Sequence, residues 1–242
     1  MGKPRSQVRL FLIQVRDHDE VAGQERACFL RHCRLEAHQM RWHNVVEDPV
    51  LTWRHVEDAD VLMIGGAGAH SVTHDDDFTP ALIEVFLRWL EEGRPFFGSC
   101  WGHQFIGRAL GGTVITDPAG SEVGTFDLEL TAEGERDPLL AGLPRRFAVQ
   151  LGHNDRIDQP PPGLVALASS ERCRLQLVRL ADRPVYGSQF HSEMGEQEMR
   201  RRAKVYQDRY LGDDDAYAAF VAKLRPSPEA DGLLDRFLSL YV

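Results

Sequence analysis

Residues 8–15 form a nearly unbroken apolar run, the pattern of a strand buried on both faces. Over 21–36 the apolar positions Ala22, Cys28, Phe29 and Leu30 fall at helical spacing with charges between them. Residues 40–46 and 60–64 predict a second and a third strand, the third running into Gly65-Gly66. Thr79-Pro80 predicts a helix through Glu92, with Thr79 as its cap and Pro80 in its first turn. A fourth short strand over 95–99 is followed by helical spacing from Trp101 to Leu110. This alternation predicts an α/β fold: an open, mostly parallel twisted sheet with helices on both faces.

The second half is patterned differently. Short strand candidates at 113–116, 125–131, 147–151, 164–168, 175–180 and 185–190 are separated by Gly, Pro and acidic turns. They predict extra edge strands, some of them antiparallel. From 193 to 242 the pattern is helical, interrupted at Gly212 and at Pro226-Ser227-Pro228. Asp213-Asp214-Asp215 reads as a solvated helix start, and Arg200-Arg201-Arg202 as an exposed helix face. No repeat or linker interrupts the chain, so one domain over 1–242 is expected, with 194–242 a helical C-terminal extension that covers the sheet or makes an intersubunit contact.

Composition narrows the function classes. Apolar residues make up 43% and charged residues 27%, with a mean hydropathy of −0.34, the profile of a globular chain. Twenty-eight Lys and Arg against 37 Asp and Glu leave a net charge of −9, which argues against a nucleic-acid-coating surface. No apolar run approaches the roughly 20 residues that cross a bilayer, so no membrane is expected as a partner. The apolar stretch near the N-terminus meets Arg16-Asp17-His18-Asp19-Glu20 at once, which suits a strand and not a signal peptide. Cys28, Cys33, Cys100 and Cys173 form no CxxC pair, so the expected compartment is a reducing cytoplasm.

The chemistry concentrates at Gly98-Ser99-Cys100-Trp101-Gly102-His103-Gln104, where a short strand turns abruptly into a helix. Gly98 and Gly102 allow strand and helix backbones to approach, and Cys100 at the bend projects from the sheet's carboxyl edge. The helix N-terminus behind it favours the thiolate. A lone cysteine at a tight turn is more often a small buried packing residue. A base is available, however, in His191, which follows the strand candidate 185–190. Glu193, two residues on, would point to the same side on extended backbone and could orient it.

Together, GSCWGHQ and GSQFHSE closely resemble the class I, or triad, glutamine amidotransferases, and most nearly the glutaminase domain of GMP synthases and its free-standing relatives. The likeness runs from the first strand to about Glu193. Gly65-Gly66 falls where the family places an oxyanion loop, Ser121-Glu122-Val123-Gly124 resembles the segment after the elbow helix, and Gly152-His153-Asn154-Asp155 resembles the substrate loop. Ala168-Ser169-Ser170-Glu171 with Gln176 resembles the approach to the catalytic strand.

The resemblance implies a flavodoxin-like amidotransferase fold and a Cys100–His191–Glu193 triad. It implies an oxyanion hole from the backbone N–H groups of Gly66 and Trp101, and substrate contacts from Gln104, Glu122, Gly124, His153 and Asp155. The chemistry implied is attack of Cys100 on the side-chain amide of glutamine, giving a γ-glutamyl thioester and ammonia. The chain departs from the pattern in having Ser192 where the family often has Pro, and Ala67-Gly68-Ala69-His70 where it usually continues Gly-Gly-Pro.

Weaker signals change little. Gly66-Ala67-Gly68 lacks the third glycine of a dinucleotide fingerprint, and no GxxxxGK[ST] is present, so no cofactor is expected. His70 and His74 with Asp75-Asp76-Asp77 read as a solvated loop and not as a metal site. Trp42, Trp53 and Trp89 read as core or half-buried packing residues, and His103 as a neighbour of the site without being its base. Three functions follow. The first is a glutamine amidotransferase that feeds ammonia to a separate synthetase. The second is a self-sufficient γ-glutamyl amide or peptide hydrolase, and the third a non-catalytic binding relative. A related cysteine hydrolase or chaperone with a different triad is disfavoured by Glu193 and Gln104. Since the resemblance takes up nearly the whole length, acceptor chemistry is expected from another chain or from water.

Overall fold

A computed structural model describes residues 3–207 and 211–242; the helical expectation for 208–210 lies outside them. The first strand, β1 (Leu10–Val15), is buried at every position, as its unbroken apolar run requires. Helix α1 (Asp19–Cys33) follows and stops where Arg34 turns left-handed at φ 51°. The strands β2 (Met40–Asn44) and β3 (Val61–Ala67), the short helix α2 (Trp53–Val56) and helix α3 (Thr79–Glu91) come next. Phe78, not Thr79, occupies the cap of α3, because Thr79 is already helical and its hydroxyl accepts from the Asp76 amide at 3.2 Å. Strand β4 (Phe96–Ser99) then leads through Cys100 into α4 (Trp101–Ala109).

The remaining strands are β5 (Thr113–Thr116), β6 (Glu122–Leu130), β7 (Arg146–His153), β8 (Asp155–Gln159), β9 (Leu164–Ser169), β10 (Leu177–Leu180) and β11 (Val185–Ser188). A nine-stranded sheet runs β2-β1-β3-β4-β11-β10-β9-β6-β7. Its β2-β1-β3-β4-β11 half is parallel, and the rest continues it through antiparallel ladders. Strands β5 and β8 form a separate two-stranded sheet. Strand β8 has no counterpart among the expected strands, because Asp155-Arg156-Ile157-Asp158-Gln159 is mostly polar and mostly half-buried. The parallel strands end on one edge, where open α/β sheets place their ligands.

Two apolar clusters cover the sheet. One gathers β3, α3 and α4 around Trp89, Phe86 and Phe105. The other joins the opposite face of β1 and β4 to the C-terminal helices. The helices after α4 are α5 (Ala132–Arg136), between β6 and β7, and then α6 (Glu196–Val205), α7 (Asp214–Val221), α8 (Pro228–Asp231) and α9 (Leu233–Tyr241). Asp213 caps α7 by accepting from the Ala216 amide at 2.8 Å, in keeping with its acidic run. The expectation for Arg200-Arg201-Arg202 fails at Arg202, which is buried on α6. Trp89 is buried and Trp53 half-buried, but Trp42 is 46% exposed, with the Arg26 guanidinium 4.2 Å over its ring. Among the described residues no helix is long and apolar enough to cross a membrane.

Helix α9 covers the sheet directly beneath the elbow. Leu233, Leu234, Phe237 and Leu238 are buried, and the Phe237 ring lies 5.4 Å from Phe97 of β4 and 5.7 Å from Tyr186 of β11. Burial of four such side chains is worth about 6–12 kcal/mol, comparable to the whole net stability of a domain. Deleting residues 226–242 is therefore expected to abolish the cooperative melt followed by circular dichroism. A truncated chain melting within a few degrees of the full chain would contradict this packing.

Candidate active site

The bend at Cys100 is built by its glycines. A Cβ on Gly98 would collide with the Gly102 carbonyl, and one on Gly102 would collide with the Ile64 carbonyl of β3. Strand β4, helix α4 and strand β3 can approach this closely only because both positions are bare. Cys100 is left at φ 51° and ψ −99°, a conformation most side chains avoid. Two backbone bonds hold it there: its amide donates to the Ser188 carbonyl at 2.7 Å, and its carbonyl accepts from Gln104 at 3.1 Å.

Strand β11 runs parallel to β4 and brings the second half of the site alongside. His191 and Glu193 lie in a turn beyond β11, not on extended backbone. They still meet: His191 Nδ1 is 2.7 Å from Glu193 Oε1. The turn is tied down by the His191 amide donating to the Gln150 carbonyl at 2.9 Å, and by the Ser192 hydroxyl 2.9 Å from that of Ser188. The Ser99 hydroxyl donates to Glu193 Oε2 at 2.5 Å, and Arg202 Nη1 of α6 stands 3.6 Å from Oε1. Glu193 is fully buried.

Burial alone would raise the Glu193 pKa, but the charge and hydrogen bond of His191, with Arg202 and Ser99, hold it far below the usual carboxylate range. Burial alone would likewise depress His191. The Glu193 charge and the hydrogen bond to Cys100 outweigh it and raise His191 to about 9. The imidazole therefore carries its proton at neutral pH, facing the sulfur. By contrast, burial pushes Cys28 up to about 12 and Cys173 up to about 11, so these free thiols stay protonated. Burial also pushes His103 down to about 4, and it packs against Gly187 behind the elbow.

A cavity of about 340 Å³ opens over Cys100, lined among others by Trp101, Gln104, His70, His153 and Asp155. The Gln104 amide donates to the Asp155 carbonyl at 2.7 Å, and the Asp155 carboxylate accepts from the Thr116 and Ser71 hydroxyls at 2.7 and 2.5 Å. Glu122 and Gly124 do not line this cavity. Glu122 is held by Gln176 and Ser170, with its Oε2 3.3 Å from His153 Nε2. Gly124 faces the Phe220 ring.

The Gly66 N–H donates to Glu25 Oε1 at 3.2 Å. Glu25 is a fully buried carboxylate paired with Arg16 at 2.5 Å and bonded by Gln14 at 2.8 Å. The Trp101 N–H, in the first turn of α4, has no intrahelical acceptor available to it. His70 Nδ1 stands 3.5 Å from Asp76, and Asp75 pairs with Arg108. Among the described residues no group of three or more His, Cys, Asp or Glu could hold a metal ion.

The structure adds Ser99, Arg202, Gln189 and the Arg16–Glu25 pair to the site. Ser99 and Gln189 lie inside the two diagnostic motifs, which signal their position but not their role. Gln189 is fully buried and places its amide 3.9 Å from Cys100 Sγ. Arg202 and Glu25 reach the site only through tertiary packing, and no local pattern marks them.

The family model described as glutamine amidotransferase class-I matches residues 26–204. The glutamine-hydrolyzing GMP synthase subunit of Archaeoglobus fulgidus is 32% identical over 139 residues, 57% of this chain and 69% of that protein. The corresponding subunit from Pyrococcus abyssi is 34% identical over 116 residues, 46% of this chain and 60% of that protein. The match spans only 24% of the GMP synthase of Thermosipho africanus. A glutamine amidotransferase structure from Thermotoga maritima superposes with a TM-score of 0.76 at 20% identity, covering 97% of this chain and 98% of that one. At this identity the likeness is one of fold.

Proposed function

The chain belongs to the class-I glutamine amidotransferase family, and from that premise we propose that it hydrolyses the side-chain amide of glutamine through a thioester on Cys100. The observation that carries the reading is the buried Cys100–His191–Glu193 array, with His191 raised to about 9 and its Nδ1 2.7 Å from Glu193. An imidazole held by a carboxylate beside the sulfur is the arrangement that assists a cysteine nucleophile.

Sγ attacks the γ-carbonyl carbon, and the carbonyl oxygen takes up the charge. The Trp101 N–H at the start of α4 meets that oxygen; losing one such donor typically costs ~10²–10³ in rate. The C–N bond breaks as His191 Nε2 passes its proton to the departing nitrogen, which leaves as ammonia. His191 then takes a proton from water, the hydroxide attacks the thioester, and glutamate leaves as the sulfur is restored. Gln104, His153 and Asp155 form the wall that receives the amino-acid end of the substrate, and Glu122 braces His153 from behind. Glu193 holds the imidazole with Nδ1 towards itself and Nε2 towards the sulfur.

The ammonia acceptor lies on another chain. Support comes from the Archaeoglobus and Pyrococcus relatives, which are by name separate subunits of GMP synthase. His191→Asn keeps the thiol but removes both the donor to the leaving nitrogen and the group that activates water, so its glutamate release is expected to fall by about 10²–10⁴-fold. Acid-quenched mixtures of the wild type with glutamine during turnover are expected to carry a γ-glutamyl adduct on the Cys100 peptide, read by mass spectrometry. Glutamate release by the wild type together with an adduct on a different residue would overturn the assignment.

A further inference from the structure

The loop after β3 carries one side chain that the reaction steps leave without a task. His70 lines the cavity over Cys100 and is half-buried there. It lies in the segment where the chain departs from the Gly-Gly-Pro pattern. Three contacts hold this loop in place. The Ser71 hydroxyl donates to the Asp155 carboxylate at 2.5 Å, Arg108 of α4 donates to the Val72 carbonyl at 2.5 Å, and Arg108 also pairs with Asp75. The His70 ring stands edge-on to Phe78 with centroids 6.2 Å apart, and Phe78 is equally far from Trp101, the residue after the nucleophile. His70 Nδ1 is 3.5 Å from Asp76 Oδ2, and Nε2 has no hydrogen-bond partner among the described residues.

Glutamine arrives as a zwitterion, with an ammonium and a carboxylate on one carbon. The cavity wall offers the ammonium a single carboxylate, Asp155, and it contains no Lys or Arg for the substrate's own carboxylate. Its basic side chains are His70, His74 and His153. His153 is buried and engaged on both sides, with Nδ1 3.2 Å from the Asp155 carbonyl and Nε2 3.3 Å from Glu122 Oε2. His74 is exposed, and its carbonyl accepts from Arg108. His70 remains, and the Ser71 bond fixes its loop to Asp155, so an anionic and a basic group stand at the same end of the cavity. We infer that His70 reads the α-carboxylate of the substrate, donating to it from Nε2 while Asp155 accepts from the α-ammonium. His70 thereby selects an amino acid over the same amide lacking the carboxylate. This rests on the Cys100 thioester reading and extends it to the recognition of the substrate. A hydrogen bond to a charged group in a partly desolvated cavity is among the stronger ones available to a side chain.

The test compares glutamine with 4-aminobutanamide, which is glutamine without its α-carboxylate, by ammonia release from the full chain. The wild type is expected to favour glutamine at least about 100-fold in kcat/KM. In His70→Ala that preference is expected to shrink about 10–100-fold, mostly through KM for glutamine, and in the bulkier His70→Gln by less. A ratio between two substrates does not depend on how much protein folds. Calorimetric binding of glutamine to Cys100→Ala reads the contact without the reaction, and is expected to weaken by the same factor when His70→Ala is added. A preference unchanged in His70→Ala overturns the assignment and leaves the thioester reading standing. No ammonia from either amide, with glutamine binding still dependent on His70, overturns the thioester reading and leaves the carboxylate contact standing.

Discussion

Replacing Cys100 by glycine abolishes glutamine hydrolysis, by at least ~10⁴-fold, and at the same time leaves the fold more stable than the alanine variant does. The first half follows from chemistry: no other cysteine is among the residues lining the cavity, and His191 without the sulfur has no nucleophile to assist. The second half follows from φ 51° at position 100. A non-glycine residue held there carries about 1–3 kcal/mol of backbone strain. Alanine keeps that strain and glycine releases it. Against this, glycine costs about 0.5–1 kcal/mol through the freedom of the unfolded chain. The release is larger, so Cys100→Gly is expected to exceed Cys100→Ala by about 1 kcal/mol in urea unfolding. The usual order of alanine above glycine would mean that the bend is unstrained. Residual hydrolysis in both variants near the wild-type rate would remove Cys100 from the mechanism.

The elbow is legible in sequence because its requirement is local. Gly98, Cys100 and Gly102 at fixed spacing describe a strand–helix bend whatever the rest of the chain does. His191 and Glu193 are legible for the same reason, although the turn that joins them is not the extended backbone that their spacing suggests. What a linear pattern lacks is direction. Gly66 falls at the right place in order, yet its N–H turns to Glu25, because α1 buries a carboxylate beneath that loop. Glu122 and Gly124 fall in the right order too, but Glu122 is turned to Gln176 and Gly124 to Phe220. Arg202 reads as a solvated charge in the linear pattern, although three successive arginines must point three ways around a helix. Only the docking of α6 decides which of them is turned inward.

Antiparallel strands in the second half are visible as short apolar runs between turns, but their order is not. The β11-β10, β10-β9 and β6-β7 ladders follow chain order, but the β9-β6 ladder and the seating of β11 beside β4 join strands far apart in sequence, which no local pattern encodes. The role of the C-terminal extension is hidden similarly. Its helices are evident from spacing, while their two tasks, covering β4 with Phe237 and bringing Arg202 to Glu193, exist only in three dimensions.

That contact makes Glu193→Gln the second most damaging change expected, for activity and for stability together. Removing the carboxylate's charge deprives His191 of the partner that holds its proton and fixes its tautomer, and the loss expected in kcat is about 10³–10⁴-fold. It also leaves the Arg202 guanidinium, buried at 6% exposure, without its opposing charge. Breaking a buried pair from one side costs about 3–5 kcal/mol. The pH dependence separates the two effects. In the wild type His191 is raised from 6.5 to about 9, so its protonation stabilises the folded chain fully below pH 6.5 and is lost as pH rises through 9. In Glu193→Gln the burial that depresses the imidazole loses its main opponent. The folded pKa then falls, and the decline in stability between pH 6.5 and 9 flattens. The difference between the two chains in how urea-unfolding free energy changes between these pH values isolates this pair. A Glu193→Gln chain that keeps the wild-type slope between pH 6.5 and 9 would show that the glutamate does not set the charge of His191, and the proton transfer to the leaving nitrogen would need another source.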